Sequence, residues 1–254
     1  MPDHASLRAL DPGPPGPQPP LSASSFFVMT QLDFASAAYR EAYSRINGVV
    51  IVGEGLANRH FQMLARRIPA DRDELQRLGR MEGNHASAFV GCGRNLGVVA
   101  DLPLARRLFQ PLHDLFKRHD HEGNRAECLV IQGLIVECFA VAAYRHYLPV
   151  ADAYARPITA AVMNDESEHL DYAETWLQRH FDQVKARVSA VVVEALPLTL
   201  AMLQSLAADM RQIGMDPMET LASFSELFRE ALESVGFEAV EARRLLMRAA
   251  ARMA

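Results

Sequence analysis

Glu-x-x-His occurs twice in the chain, as Glu82-Gly83-Asn84-His85 and as Glu166-Ser167-Glu168-His169. On an α-helix, residues three apart share a face, so each copy offers a carboxylate and an imidazole to one cation. Each copy is preceded by a glutamate in an apolar stretch. Glu54 follows Val49, Val50, Ile51 and Val52; Glu137 follows Leu134, Ile135 and Val136. An unpaired carboxylate on such a face costs on the order of several kcal/mol, or takes up a proton, unless a partner neutralises it. Four carboxylates balance two divalent cations, and carboxylate with imidazole suits iron or manganese better than thiolate-preferring metals. The candidate metal ligands, and with them the candidate catalytic groups, are Glu54, Glu82, His85, Glu137, Glu166 and His169.

The spacing says how the chain brings them together. Glu54 lies 28 positions before Glu82, and Glu137 lies 29 before Glu166. From Glu54 to Pro69 a helix rises about 22 Å, and the return from Asp71 to Glu82 is about 17 Å. For Glu137 to Pro149 and Ala151 to Glu166 the rises are about 18 and 22 Å. Each glutamate returns to nearly the depth of its Glu-x-x-His partner. Two such hairpins facing each other put all six side chains at one level, as in carboxylate-bridged di-metal bundles.

The elements that must do this read as helices throughout: an all-α, ferritin-like bundle of about eight. The expected spans are about 35–67, a second capped by Asp71 and breaking at 93–97, then 104–118, 125–147 and 151–180. Three more cover about 183–213 with a kink at Pro197, 217–234 and 238–253. A polar loop is expected over 119–123. The 125–147 segment is apolar nearly all round, which places it at the bundle centre. The last helix, with Arg243, Arg244, Arg248 and Arg252, is read as a basic face packed on the bundle. Residues 1–33, with Asp11-Pro12-Gly13-Pro14-Pro15, read as a disordered Pro-rich leader, and 34–254 as the folded domain.

A net charge of −5 argues against nucleic acid as a partner. Half the residues are hydrophobic, yet no uninterrupted run of about eighteen occurs, so no transmembrane segment is expected. Cys92, Cys128 and Cys138 form no paired framework and read as reduced thiols, which suits a cytoplasmic protein.

From Tyr39 onward the sequence resembles the cyanobacterial aldehyde-deformylating oxygenases, also called aldehyde decarbonylases. The stretches that carry the resemblance are Ala42-Tyr43-Ser44-Arg45-Ile46-Asn47, Gly53-Glu54, Met81-Glu82 with His85, and Cys92-Gly93-Arg94-Asn95-Leu96-Gly97. Leu129 to Gln132, Glu137-Cys138-Phe139-Ala140, Ala143-Tyr144, Pro149-Val150-Ala151-Asp152 and Asp165-Glu166 with His169 continue it. The resemblance implies a di-iron site on the six residues above. It also implies cleavage of a long-chain fatty aldehyde with dioxygen to an alkane one carbon shorter plus formate. The implied electron donors are ferredoxin and ferredoxin reductase, and the acyl reductase that makes the aldehyde is a further implied partner. The chain departs from the family at positions that the resemblance sets near the metals: Val52, Gly55 and Leu56, Phe61 and Ser167 in place of tyrosines, and Gly83 and Asn84. Tyr43, Gln132, Tyr144 and Asp165 remain as groups to orient ligands.

An aldehyde with a long tail needs an apolar channel beside the polar site. Val50, Gly53, Phe89, Phe109, Phe139, Ala140 and Ala143 are the expected lining. The alternative function is a ferritin-like di-metal oxidase or iron-handling protein without alkane synthesis, and a third is a metal-free partner-binding bundle.

Overall fold

The computed structural model describes residues 32–252. Every regular element among them is helical. The order is α1 (Ala37–Arg67), α2 (Arg72–Asn95), α3 (Leu102–Glu122) and α4 (Arg125–Leu129), which runs through a π-helical stretch (Val130–Val136) into α5 (Glu137–Tyr147). Then follow α6 (Ala155–Arg179), α7 (Phe181–Gln212), α8 (Pro217–Val235) and α9 (Ala239–Ala250). With α4, the π stretch and α5 taken as one continuous helix, the described residues hold eight, as the apolar periodicity requires. The Pro-rich leader lies, as far as residue 31, outside the described residues.

Local chemistry sets the boundaries. Ser36, Asp101 and Asp216 cap α1, α3 and α8 by accepting from backbone N–H groups of the first turn, and Glu238 with Glu241 forms a capping box at α9. Three boundaries differ from expectation. The run expected as a polar loop over 119–123 is helical to Glu122. The terminator is Gly123, whose φ of +76° only glycine adopts cheaply, while Asn124 N–H returns to the His119 carbonyl at 2.8 Å. Helix α6 starts at Ala155 rather than near 151, because the Asp152 carboxylate accepts from Tyr154 and Ala155 N–H at 2.9 and 3.2 Å. Asp71 does not cap α2 with its side chain; its Oδ2 accepts from the Tyr172 hydroxyl at 3.0 Å. Helix α7 passes Pro197 as one element.

Residues 126–135 of the central helix are all buried. Its two polar members are satisfied in place, Glu127 by a bidentate Arg187 (2.7 and 2.5 Å) and Gln132 inside the site. By length and composition the Arg125–Val150 and Phe181–Gln212 segments are apolar enough to cross a membrane, which uninterrupted runs did not reveal. The apolar window of the first is 78% buried within the bundle, so its apolarity is accounted for by the core. Two apolar clusters flank the centre. One holds Phe61, Leu78, Leu134 and Ala173, the other Tyr43, Val49, Phe89 and Tyr144, and Phe139 packs against both.

Candidate metal centre

Glu54 stands in mid α1, Glu82 and His85 on α2, Glu137 at the start of α5, and Glu166 and His169 on α6. None is more than 5% exposed. The six converge as two overlapping sets: Glu54, Glu82, His85 and Glu166, and Glu82, Glu137, Glu166 and His169. Within each, the donor atoms lie within 4.8 Å of one another.

Glu82 and Glu166 belong to both sets. Glu82 turns Oε2 to His85 Nδ1 (3.3 Å) and Oε1 to His169 Nδ1 (3.2 Å). Glu166 turns Oε1 to His85 Nδ1 (3.5 Å) and Oε2 to His169 Nδ1 (2.7 Å). Each therefore presents one oxygen to either set, the disposition of a bridging carboxylate. Glu54 and Glu137 behave differently. Glu54 directs Oε2 toward His85 (3.5 Å), while its Oε1 accepts from the Tyr144 hydroxyl. Glu137 directs Oε2 toward His169 (3.8 Å), while its Oε1 accepts from Gln132 Nε2 at 2.9 Å. One oxygen is pinned and one is free in each case.

The π-helical stretch explains the Gln132 contact. Residues five apart come onto one face where the hydrogen bonds run i to i+5, which brings Gln132 over Glu137. Gly133 in the same stretch packs so tightly on Ala173 of α6 that a methyl there would stand 2.5 Å from the Ala173 Cβ. On α2, His85 also reaches Asp165 Oδ2 through Nε2 at 3.1 Å. Of the four expected orienting groups, Gln132, Tyr144 and Asp165 touch the six. Tyr43 does not; it stacks on Tyr39 at 5.8 Å. Two residues that sequence reasoning passed over, His60 and His113, continue the Gln132 contact outward, and no local spacing marks them.

The cluster is electrostatically tense. Burial, then the charges of Glu137, Glu166 and Glu54, pushes Glu82 well above the usual carboxylate range. Burial and the neighbouring Glu54 and Glu137 raise Glu166 to about 7. Glu137 is held low, because hydrogen bonds and charge from His169, Glu166 and Gln132 outweigh its burial. Burial alone would lower both imidazoles, but the adjacent carboxylates raise His85 and His169 to about 10. Without cations the cluster must therefore hold protons. Glu82 Oε1 and Glu166 Oε1 are buried and face imidazole nitrogens at 3.2 and 3.5 Å, in contacts not aligned as hydrogen bonds, an arrangement that costs free energy unless positive charge completes it. The donor set fits a pair of divalent cations.

A cavity of about 50 Å³ opens onto Glu54, Glu82 and Glu137, lined by Val50, Gly53, Phe109, Phe139, Ala140 and Ala143. A second of about 40 Å³ adds Phe89 and shares Val50, Ala143 and Tyr144 with the first. All seven expected lining residues fall in one or the other. A larger groove of about 760 Å³, between α7, α8 and α9, contains none of the six cluster residues.

The departures sort by position. Phe61 is fully buried with its ring 5.4 Å from that of His169, so the departure that the resemblance implies there lies at the centre itself. Asn84 and Ser167 are exposed, and Gly83 faces Asn58. Val52, Gly55 and Leu56 are not near the centre: they line a cleft on the outer side of α1 and α3.

A helical bundle enclosing four carboxylates and two imidazoles in this arrangement defines the ferritin-like class of carboxylate proteins. Residues 36–251 match the long-chain fatty aldehyde decarbonylase family, and the chain belongs to it. A solved structure described as protein 19 with aldehyde deformylating oxidase activity, from Synechococcus, is 99% identical to this chain. The match covers 85% of this chain and 100% of that one, with a TM-score of 0.85.

Proposed function

We propose that the protein is an aldehyde-deformylating oxygenase that converts a long-chain fatty aldehyde and dioxygen to an alkane one carbon shorter plus formate. Glu54, Glu82, His85, Glu137, Glu166 and His169 hold two iron ions in this reading, and manganese suits the same donors. Electrons come from ferredoxin and its reductase, the aldehyde from an acyl reductase, and the working compartment is the cytoplasm. The observation that carries the proposal is the apolar cavity that opens directly onto Glu54, Glu82 and Glu137.

Iron in such a carboxylate and imidazole set supplies dioxygen reduction and polarisation of the aldehyde carbonyl. The protein's share is positioning and exclusion of water. Glu82 and Glu166 span both positions, and Glu54 and Glu137 each keep one oxygen free because Tyr144 and Gln132 hold the other. Tyr144 keeps its proton, since burial and the Glu54 charge raise its phenol well above the ordinary range, and it serves as a fixed donor to Glu54. Phe109, Phe139 and the small residues Gly53, Ala140 and Ala143 take the tail. Each cavity is only a few water molecules in size. A long tail must therefore part these side chains as it enters, desolvating the aldehyde head beside the carboxylates.

The test is reconstitution with ferrous iron, a long-chain aldehyde, oxygen and a ferredoxin reducing system, with shortened alkane and formate both assayed. Equal yields of the two are expected. Metal-dependent oxygen uptake with neither product would replace this reading by the di-metal oxidase.

A further inference from the structure

We infer that His60 and His113 are positioning residues for Glu137, acting through Gln132 in a one-directional hydrogen-bond chain that runs to a basic cleft outside α1 and α3. The inference rests on the reading of the six clustered residues as metal ligands.

His60 lies on α1, 3% exposed, with its ring stacked on Phe116 at 3.8 Å and 9°. Its Nδ1 is 2.6 Å from Gln132 Oε1, and its Nε2 is 2.9 Å from His113 Nδ1 on α3. Gln132 Nε2 is 2.9 Å from Glu137 Oε1. The order of donors is forced. A carboxylate oxygen can only accept, so Gln132 turns its amide N–H to Glu137 and its carbonyl to His60. His60 must then donate from Nδ1, which leaves Nε2 with a lone pair, and His113 must donate from Nδ1. Turning the Gln132 amide over would set oxygen against oxygen at Glu137.

The chain needs a neutral His60 with one proton, and its surroundings supply that. Burial, opposed by the Gln132 hydrogen bond and aided by His113 and Arg59, lowers His60 to about 3; Asp120 acts weakly the other way. Burial together with Arg59 and Lys117 lowers His113, against a weaker pull from Asp114. His113 lines a cleft of about 410 Å³ with Arg59, Arg106, Gln110 and Lys117. None of those three cations has an ion-pair partner among the described residues. At neutral pH the two rings are therefore uncharged, and their tautomers set the direction of the chain.

What the chain fixes is the rotation of Glu137. With Oε1 tied to Gln132, Oε2 is left for the set shared with His169. The opposite set, around Glu54 and His85, is pinned through Tyr144 instead. Breaking the chain should weaken one metal position and spare the other.

Two measurements test this. Nitrogen-15 NMR of the metal-free full chain at neutral pH should show the Nδ1–H tautomer for both His60 and His113. Titration with ferrous or cobaltous ion should show that His60→Leu lowers the affinity of one of two sites by about 10- to 100-fold. The other site should stay as in the wild type. His113→Leu should act in the same direction, with no further loss when the two are combined. A wild type that binds two ions while His60 carries its proton on Nε2 overturns the chain alone, whatever the variants do. So do two folded variants that keep both affinities. A wild type that takes up no metal overturns the ligand reading and this role with it.

Discussion

Gly133→Ala tests whether the π-helical stretch is held at a fixed distance from α6. The added methyl would lie 2.5 Å from the Ala173 Cβ, about 1 Å inside the 3.4–4 Å of ordinary contact. Both atoms are borne directly by backbone, so no rotamer change relieves the overlap and the two helices must separate. Overpacking of this kind costs about 1–3 kcal/mol. At about 2–4 °C per kcal/mol for a chain of this size, Tm should fall by roughly 2–12 °C. The separation would fall one turn from Glu137 on one helix and one turn from His169 on the other. A displacement of about 1 Å at reacting groups costs roughly a hundredfold in rate. Calorimetry of the metal-free protein reads the stability loss, the alkane assay reads the rate loss, and metal titration shows whether both ions still bind. Gly133→Ala with Ala173→Gly removes the partner methyl and should recover most of the loss, less about 1 kcal/mol for glycine inside a helix. A single variant melting within about 1 °C of the wild type with both ions bound normally, or a double variant no better than the single, would refute the close-approach argument.

Tyr144→Phe removes the hydroxyl that pins Glu54 and should weaken one of two metal positions by about tenfold or more in a metal titration; equal affinities would show the contact to be incidental. Glu137→Ala should abolish alkane and formate production, since it leaves the second set one carboxylate short; unchanged product yield would remove the mechanism. Metal binding should release protons and tighten as pH rises, because Glu82, Glu166 and both histidines hold protons that cations displace; calorimetric titration in buffers of different ionisation enthalpy counts them. In the metal-free chain the raised groups stabilise fully below their ordinary values. That contribution is lost as pH climbs from about 4.5 to about 7 for Glu166, and from about 6.5 to about 10 for the histidines. Metal-free protein should melt lower at pH 9 than at pH 6, and the reverse order would contradict the direction of these shifts.

The convergence of the six residues was legible because it depends on quantities that sequence carries: the three-residue face rule, the rise per residue and the proline stops between hairpin arms. What each glutamate does within the cluster was not. Glu82 and Glu166 present an oxygen to both sets while Glu54 and Glu137 are pinned, and this distinction is a matter of helix rotation and neighbours such as Tyr144. The helix period does correct one reading after the fact. Each residue advances about 100° around the axis, so Val52, Gly55 and Leu56 fall on other faces than Glu54. They line the outer cleft, however close they stand in the sequence.

The π-helical stretch was illegible for a different reason. An extra residue in a half-exposed helix would disturb the alternation of polar and apolar faces, but residues 126–135 are buried on every side and have no polar face to disturb. Gly133 looks there like a weak spot in an apolar helix. Only the Ala173 methyl against it shows why a side chain there is costly. Gln132 likewise reads as a lone polar residue until the i to i+5 geometry carries it over Glu137 and His60 supplies its other partner. Each of these residues is locally unfavourable, and each is explained by a contact made from a different helix. A buried stretch whose local choices look poor is therefore where tertiary constraint, rather than propensity, should be sought first.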